Sequence, residues 1–174
     1  MPPYVYYDRR TVSSTETQFF HESRTKHPDK EIGTNMEKDS QFPEDVRITR
    51  IAVVLPPQIL SSTTAKDTSI LDQIKILLNE AIMQIQVGRG DIYYLPVVAA
   101  LANPNVVADL EYTLGTAADG SYAFANVSAG NGHFGLDVDI PVPANTDFKF
   151  FLKTKTTPSF GTVTVLLFVE RGAR

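Results

Sequence analysis

Leu136–Val142 (LDVDIPV), Phe148–Lys155 (FKFFLKTK) and Thr162–Glu170 (TVTVLLFVE) are the stretches that decide the fold. In the first, Leu136, Val138, Ile140 and Val142 alternate with Asp137, Asp139, Pro141 and Pro143. In the second, Phe148, Phe150 and Leu152 alternate with Lys149, Phe151, Lys153 and Lys155; in the third, Val163, Val165, Leu167 and Val169 alternate with Thr162, Thr164, Leu166, Phe168 and Glu170. Successive side chains of an extended chain point to opposite faces, so a period of two reads as strands with one face in a core.

The same period continues toward the N-terminus. Leu110, Tyr112 and Leu114 precede the turn signal Asp119-Gly120, and Tyr122 and Phe124 follow it, which predicts a hairpin. Met83, Ile85 and Val87 alternate with Gln84 and Gln86, then Gly88-Arg89-Gly90-Asp91 turns into Ile92–Val98 as a second hairpin. Before them the period changes. Ile70, Leu71, Ile74, Leu77, Leu78 and Ala81 have the spacing of one helical face, with Asp67 and Thr68 as caps and Asp72 in the first turn. The helix is expected at roughly 68–80, and it is the only one. Val46–Leu55 (VRITRIAVVL) reads as a strand whose apolar phase slips between Ile48 and Ile51, which predicts a bulge near Thr49–Arg50; Pro56-Pro57 ends it.

The first 45 residues are different. His21–Asp45 holds seven acids and four bases, with Ile32, Met36 and Phe42 as its large apolar residues. It is expected to be a polar surface arm without a core of its own, preceded by a short strand at Thr15–His21 with Phe19 or Phe20 facing inward. Met1–Thr11 is expected to pair with the sheet edge of a neighbouring subunit. The division is therefore residues 1–45 as arm and first strand and 46–174 as the body of a single domain. Eight or nine short strands and one helix indicate an all-β sandwich or barrel.

At 174 residues the chain is long enough for a core without staples. Sixteen Lys and Arg against twenty Asp and Glu leave a net charge of −4, which speaks against a generally basic nucleic-acid binder. The lack of Cys removes disulfide scaffolds, thiolate metal sites and thiol catalysis. No apolar run is long enough for a helical span and residues 1–10 lack signal-peptide architecture, so the expectation is a soluble protein.

Several motifs have a functional and a structural reading. Gly130-Asn131-Gly132-His133-Phe134-Gly135 matches G-x-G-x-x-G but precedes a strand, not a helix, so a loop is the better account. Arg89-Gly90-Asp91 spells an adhesion tripeptide at a hairpin tip; Gly88 and Gly90 supplying positive φ explain it as a turn. Asn126-Val127-Ser128 fits a glycosylation acceptor pattern that needs a secretory route. His21 and His27, near Glu22, Asp29 and Glu31, are read as a solvated loop, and His133 has no nucleophile partner. Asp137 and Asp139 form a D-x-D pair, read as an outer face in preference to a cation or acid–base site. No G-x-S-x-G elbow, Walker loop or H-E-x-x-H is present. The chain is not expected to be an enzyme, and no catalytic residue, metal ligand or cofactor contact is assigned. The anomaly is apolar excess on outer faces: Phe151, Leu166 and Phe168 need covering, either by the helix or by a neighbouring subunit.

The run LDVDIPVPANTDFKFFLKTKTTPSFGTVTVLLFVERG resembles the last three strands of viral single jelly-roll coat proteins, and TNMEKDSQFPEDVRITRIAVVL with the helix and QIQVGRGDIYYLPV resembles the front half of the same barrels. Within that group the pattern is most similar to the small major capsid proteins of tailless icosahedral double-stranded DNA phages with an internal membrane (sphaerolipovirus-like). The resemblance spans about 42–172, rests on pattern, and matches nothing in the arm. It implies an all-β, single eight-stranded jelly-roll sandwich with one short helix, standing upright in a virion shell. It carries over no catalytic residues. The partners implied are other copies of the chain, most simply as a dimer, a second and larger capsid protein, and, as a further candidate, a membrane-associated virion protein. No specific nucleic acid and no small-molecule substrate is expected, and the localisation expected is the virion, after synthesis in the host cytoplasm. In a jelly roll the last three strands alternate between sheets, which puts Asp137 and Asp139 on one outer face and Lys149, Lys153 and Lys155 on the other. An acidic face against a basic one would make lateral contacts, so these residues, with Phe151, Leu166 and Phe168, are the candidate interface. The alternative from another class is a carbohydrate- or receptor-binding β-sandwich module of a phage. A cupin-type enzyme is the weakest, since it needs clustered His and Glu ligands.

Overall fold

The computed structural model describes residues 3–56, 69–102, 113–117, 120–124 and 134–172. In chain order the elements are β1 (Pro3–Val12), β2 (Glu16–Phe19), β3 (Val46–Val54), α1 (Ser69–Asn79), β4 (Ile82–Val87), β5 (Asp91–Pro96), β6 (Thr113–Ala117), β7 (Gly120–Phe124), β8 (Leu136–Val142), β9 (Phe148–Lys153) and β10 (Gly161–Arg171). Two four-stranded antiparallel sheets, ordered β1-β10-β3-β8 and β2-β9-β4-β5, make a β-sandwich, and β6-β7 is a separate hairpin. β8 and β9 belong to different sheets, so the three C-terminal strands alternate between layers. Asp67, Thr68, Leu110, Tyr112, Asn126-Val127-Ser128 and the glycine-rich motif as far as His133 lie outside the described residues, as do the side chains of Ile70, Leu71 and Ile74.

The alternating residues sort as the period of two demands. Val163, Val165, Leu167 and Val169 of β10 face Phe148, Phe150 and Leu152 of β9 across the core, with Ile48, Ile51, Val53, Met83, Ile85 and Val87 around them. Burying each such side chain contributes roughly 1.5–3 kcal/mol. The phase slip in β3 is a bulge: Thr49 is the extra residue where β10 steps from Phe168 opposite Arg50 to Val169 opposite Ile48. The Thr49 hydroxyl donates to the Phe168 carbonyl at 3.2 Å. α1 forms at the expected place and buries Ile76 and Leu77, but Leu78 is exposed instead of facing inward. The side chains of its Gln73 and of Glu80, the residue after it, accept the Ser159 and Thr156 amides, and α1 lies against the 3-10 turn Val97–Ala100.

The arm is the main correction. β1 does not reach for a neighbouring subunit: it pairs along its whole length with β10 of the same chain, from Pro3 opposite Glu170 to Val12 opposite Gly161. Its other edge is covered by residues 33–35. The Gly33 carbonyl accepts Arg9 N at 2.8 Å, the Thr34 hydroxyl donates to the Tyr7 carbonyl at 2.8 Å, and Asn35 accepts Tyr7 N and donates to the Val5 carbonyl, both at 2.8 Å. An unpaired strand edge invites pairing with another chain, and here the arm occupies it. The polar arm also lends two large side chains to the common core. Met36 and Phe42 are fully buried, and Phe42 stacks between Tyr6 of β1 (4.9 Å) and Phe148 of β9 (5.1 Å), joining both sheets. Both Phe19 and Phe20 are buried, the second because its backbone takes φ 59°.

Candidate functional surfaces

The interface residues read from the sequence are placed apart. Phe151 lies on the outer face of the second sheet, in register with Gln18 and Gln84, and the Lys153 ammonium sits 5.3 Å from its ring centre. Leu166 and Phe168 lie on the outer face of the first sheet, opposite Tyr7 and Val5. Phe134 packs edge-on against Phe168 at 5.9 Å. All three are half-buried among their own strand neighbours, and they form two separate surfaces.

The expected charge asymmetry is also corrected. Asp137 accepts Arg50 Nε at 2.7 Å, and Asp139 accepts Arg47 Nη1 at 2.9 and 3.2 Å. These are cross-strand pairs between β8 and β3, so the face read as acidic carries its own counter-charges. On the other face Lys149 lies 3.7 Å from Asp147 and Lys153 lies 3.6 Å from Glu16. Lys155 is past the end of β9, in the following loop. Exposed pairs of this kind contribute little to stability, about 0–1 kcal/mol each. Their effect here is to leave little of the opposed charge needed for acidic-on-basic docking.

A different surface stands out. Leu78, Ile82, Ile92, Tyr94 and Val98 are exposed, Tyr94 the most at 63%. Tyr94 lies opposite Gln84, Ile92 opposite Gln86 and Pro96 opposite Ile82, so they share the outer face of the β4–β5 hairpin. Leu78 and Val98 flank the end of that hairpin, where α1 meets the turn after β5. Among the described residues β5 is also an edge strand of its sheet. The available signal was Ile92-Tyr93-Tyr94-Leu95, apolar in both phases, a pattern of strands covered on both faces. The Arg89-Gly90-Asp91 tripeptide is exposed at the hairpin tip; Gly88 takes φ 59°, while Gly90 is not among the glycines with positive φ.

A polar cluster is buried between β1 and the arm. Asp8 is fully buried; its Oδ2 accepts Phe20 N at 2.7 Å and Arg10 Nε at 3.0 Å, and its Oδ1 lies 3.2 Å from His27 Nε2 without hydrogen-bond geometry. Burial pushes the Asp8 carboxyl above the usual carboxylate range, against the opposing Phe20 and Arg10 bonds. Arg10 also donates to Glu22 at 2.8 Å, and that bond holds the Glu22 carboxyl below its ordinary value. His27, read as solvated, is 2% exposed. Its Nδ1 accepts Asp29 N at 3.0 Å, which puts the ring hydrogen on Nε2, and Nε2 lies 2.9 Å from the Arg9 carbonyl. Both ring nitrogens are thus engaged out of solvent, so the cluster locks the arm and offers no accessible base. Among the described residues no group of three or more potential ligands is arranged to hold a metal, and no helix is long and apolar enough to cross a membrane.

Gly33 closes over this cluster. A Cβ built there would coincide with the His27 imidazole, whereas one at Gly90 would meet nothing within 4 Å. Gly33→Ala should therefore displace His27 and cost about 1–3 kcal/mol, an overpacking penalty. Gly90→Ala should leave the thermal midpoint almost unchanged. Equal midpoints for the two variants would show that His27 does not fill that space.

No protein-family model, no curated protein and no solved structure matches the chain.

Proposed function

We infer that the chain is a coat subunit, a single eight-stranded jelly roll that assembles into an icosahedral virion shell. The observation that carries this reading is the strand order. With β6 and β7 set aside as an insertion, sheets β1-β10-β3-β8 and β2-β9-β4-β5 interleave the chain as a double Greek key does, with the last three strands crossing between layers. Viral capsid domains are built on this plan, and a shell subunit needs side surfaces but no catalytic pocket. The contacts we assign to assembly are the apolar outer face of β4–β5, with Ile82, Ile92 and Tyr94 at its centre. A second copy of the chain and a larger coat protein are its partners in this reading.

The decisive experiment is recovery of the chain, in stoichiometric amount, from purified virions; its absence from the shell would refute the reading. On the isolated chain, light scattering should find an oligomer at high concentration. Ile92→Glu with Tyr94→Glu should return it to monomer with an unchanged thermal midpoint, since both side chains are exposed. A wild-type chain that stays strictly monomeric at high concentration would remove the assignment of this face to self-contact.

A further inference from the structure

We propose that the junction of β1 and the arm is a binding pocket for a phosphate or sulfate ester carried on a small sugar-sized group. Tyr7, Arg24, Thr25, Lys30, Thr34 and Asn35 line an open-sided depression of about 650 Å³ there. That volume lies in the ordinary range for small-molecule sites and is larger than an inorganic anion needs.

The back wall is fixed. The Thr34 hydroxyl and the Asn35 amide are engaged with the β1 backbone at Tyr7 and Val5, so they hold the shape and contribute little to a ligand. The groups left free point to an anion. Arg24 and Lys30 are both exposed, and among the described residues neither their guanidinium nor their ammonium has an acidic partner. A guanidinium can grip two oxygens of a tetrahedral anion and an ammonium can take a third, and both kinds of group are in this lining. The Tyr7 ring, held against the Arg9 guanidinium at 5.2 Å, supplies a flat wall for the attached group.

A second observation concerns the backbone. Lys30 takes φ 39°, a conformation that side chains rarely adopt, and it is held there by hydrogen bonds from its amide to the His27 carbonyl (2.9 Å) and from Gly33 N to its own carbonyl (3.0 Å). Strain of this kind persists where the surroundings impose it, and it concentrates at ligand clamps. Here it fixes the base of a side chain that lines the pocket. The pocket adjoins the β1 edge of the sandwich, whereas the apolar face proposed for assembly is at β5, the far edge of the other sheet, so either can fail without the other.

The test is calorimetric titration of the full chain with glucose 6-phosphate, glucose 6-sulfate, inorganic phosphate and glucose at constant ionic strength. Expected are one site for the esters, weaker binding of inorganic phosphate and none of glucose. Arg24→Gln with Lys30→Gln should lower ester affinity about tenfold or more, the loss of charge-assisted bonds, with the thermal midpoint unchanged. Lys75→Gln, an exposed cation on α1, should leave affinity alone. Inorganic phosphate binding as tightly as the esters would overturn the ester assignment. No binding by any anion, or equal affinity in the double variant, would overturn the site.

Discussion

Replacing Asp8 by Ala should cost about 3–5 kcal/mol of unfolding free energy, the range for removing one member of a buried ionic group. Whole domains are stable by roughly 5–15 kcal/mol, so the variant should be poorly folded at 37 °C. The reason is what stays behind. The Phe20 amide loses its acceptor, and the Arg10 guanidinium, whose Nη2 already lacks a partner, keeps only Glu22. Asp8→Asn preserves an acceptor for Phe20 and should cost clearly less. The pH dependence has a definite sign. Because burial raises the Asp8 carboxyl above its unfolded value, the folded chain holds the proton more tightly. Its contribution is therefore fullest below the unfolded value and declines as pH rises through the folded one. Wild-type stability should gain on Asp8→Asn as pH falls through that interval, read from denaturant midpoints at successive pH values. A difference that shrinks or stays flat there would mean the carboxyl is not raised.

Phe150→Ala should be as damaging, about 3–5 kcal/mol, through a cavity that cannot close. Phe150 is fully buried on β9, inside the second sheet, and its ring meets Phe19 at 5.9 Å and Phe20 at 5.8 Å, both edge-on. β2 and the start of the arm rest on it. Phe151, its sequence neighbour, points the other way and is half exposed, so Phe151→Ala should cost less than about 1 kcal/mol. Urea unfolding of the pair reads the orientation of β9 directly. Equal losses would mean that its two faces are not what the register says.

What could be read in advance followed from periodicity. In β8, β9 and β10 the residue types alternate cleanly, and even the bulge at Thr49 shows as a change of phase in VRITRIAVVL. β1 could not be read this way, because its inward positions after Tyr4 and Tyr6 are Asp8 and Arg10, which face the arm's polar cluster and not apolar core. The arm was opaque for a related reason. Two large apolar residues, Met36 and Phe42, suffice to anchor it when the sandwich supplies the rest of the core, and composition counts only what a segment carries itself. The candidate surfaces were the least legible. Alternation tells which residues share a face, but not that Arg47 and Arg50 stand beside Asp139 and Asp137, nor that β5 is an edge.

The place of β10 bears on how the molecule is made. It lies between β1 and β3, so the first sheet has no continuous middle until β10 itself has been synthesised. β1 leaves the ribosome well before its strand partner β10. Until then β1 can be held only through the arm, whose residues 33–35 are near it in sequence, and contacts spanning almost the whole chain form slowly. The arm is thus also a temporary companion, shielding one side of a strand that must wait for β10.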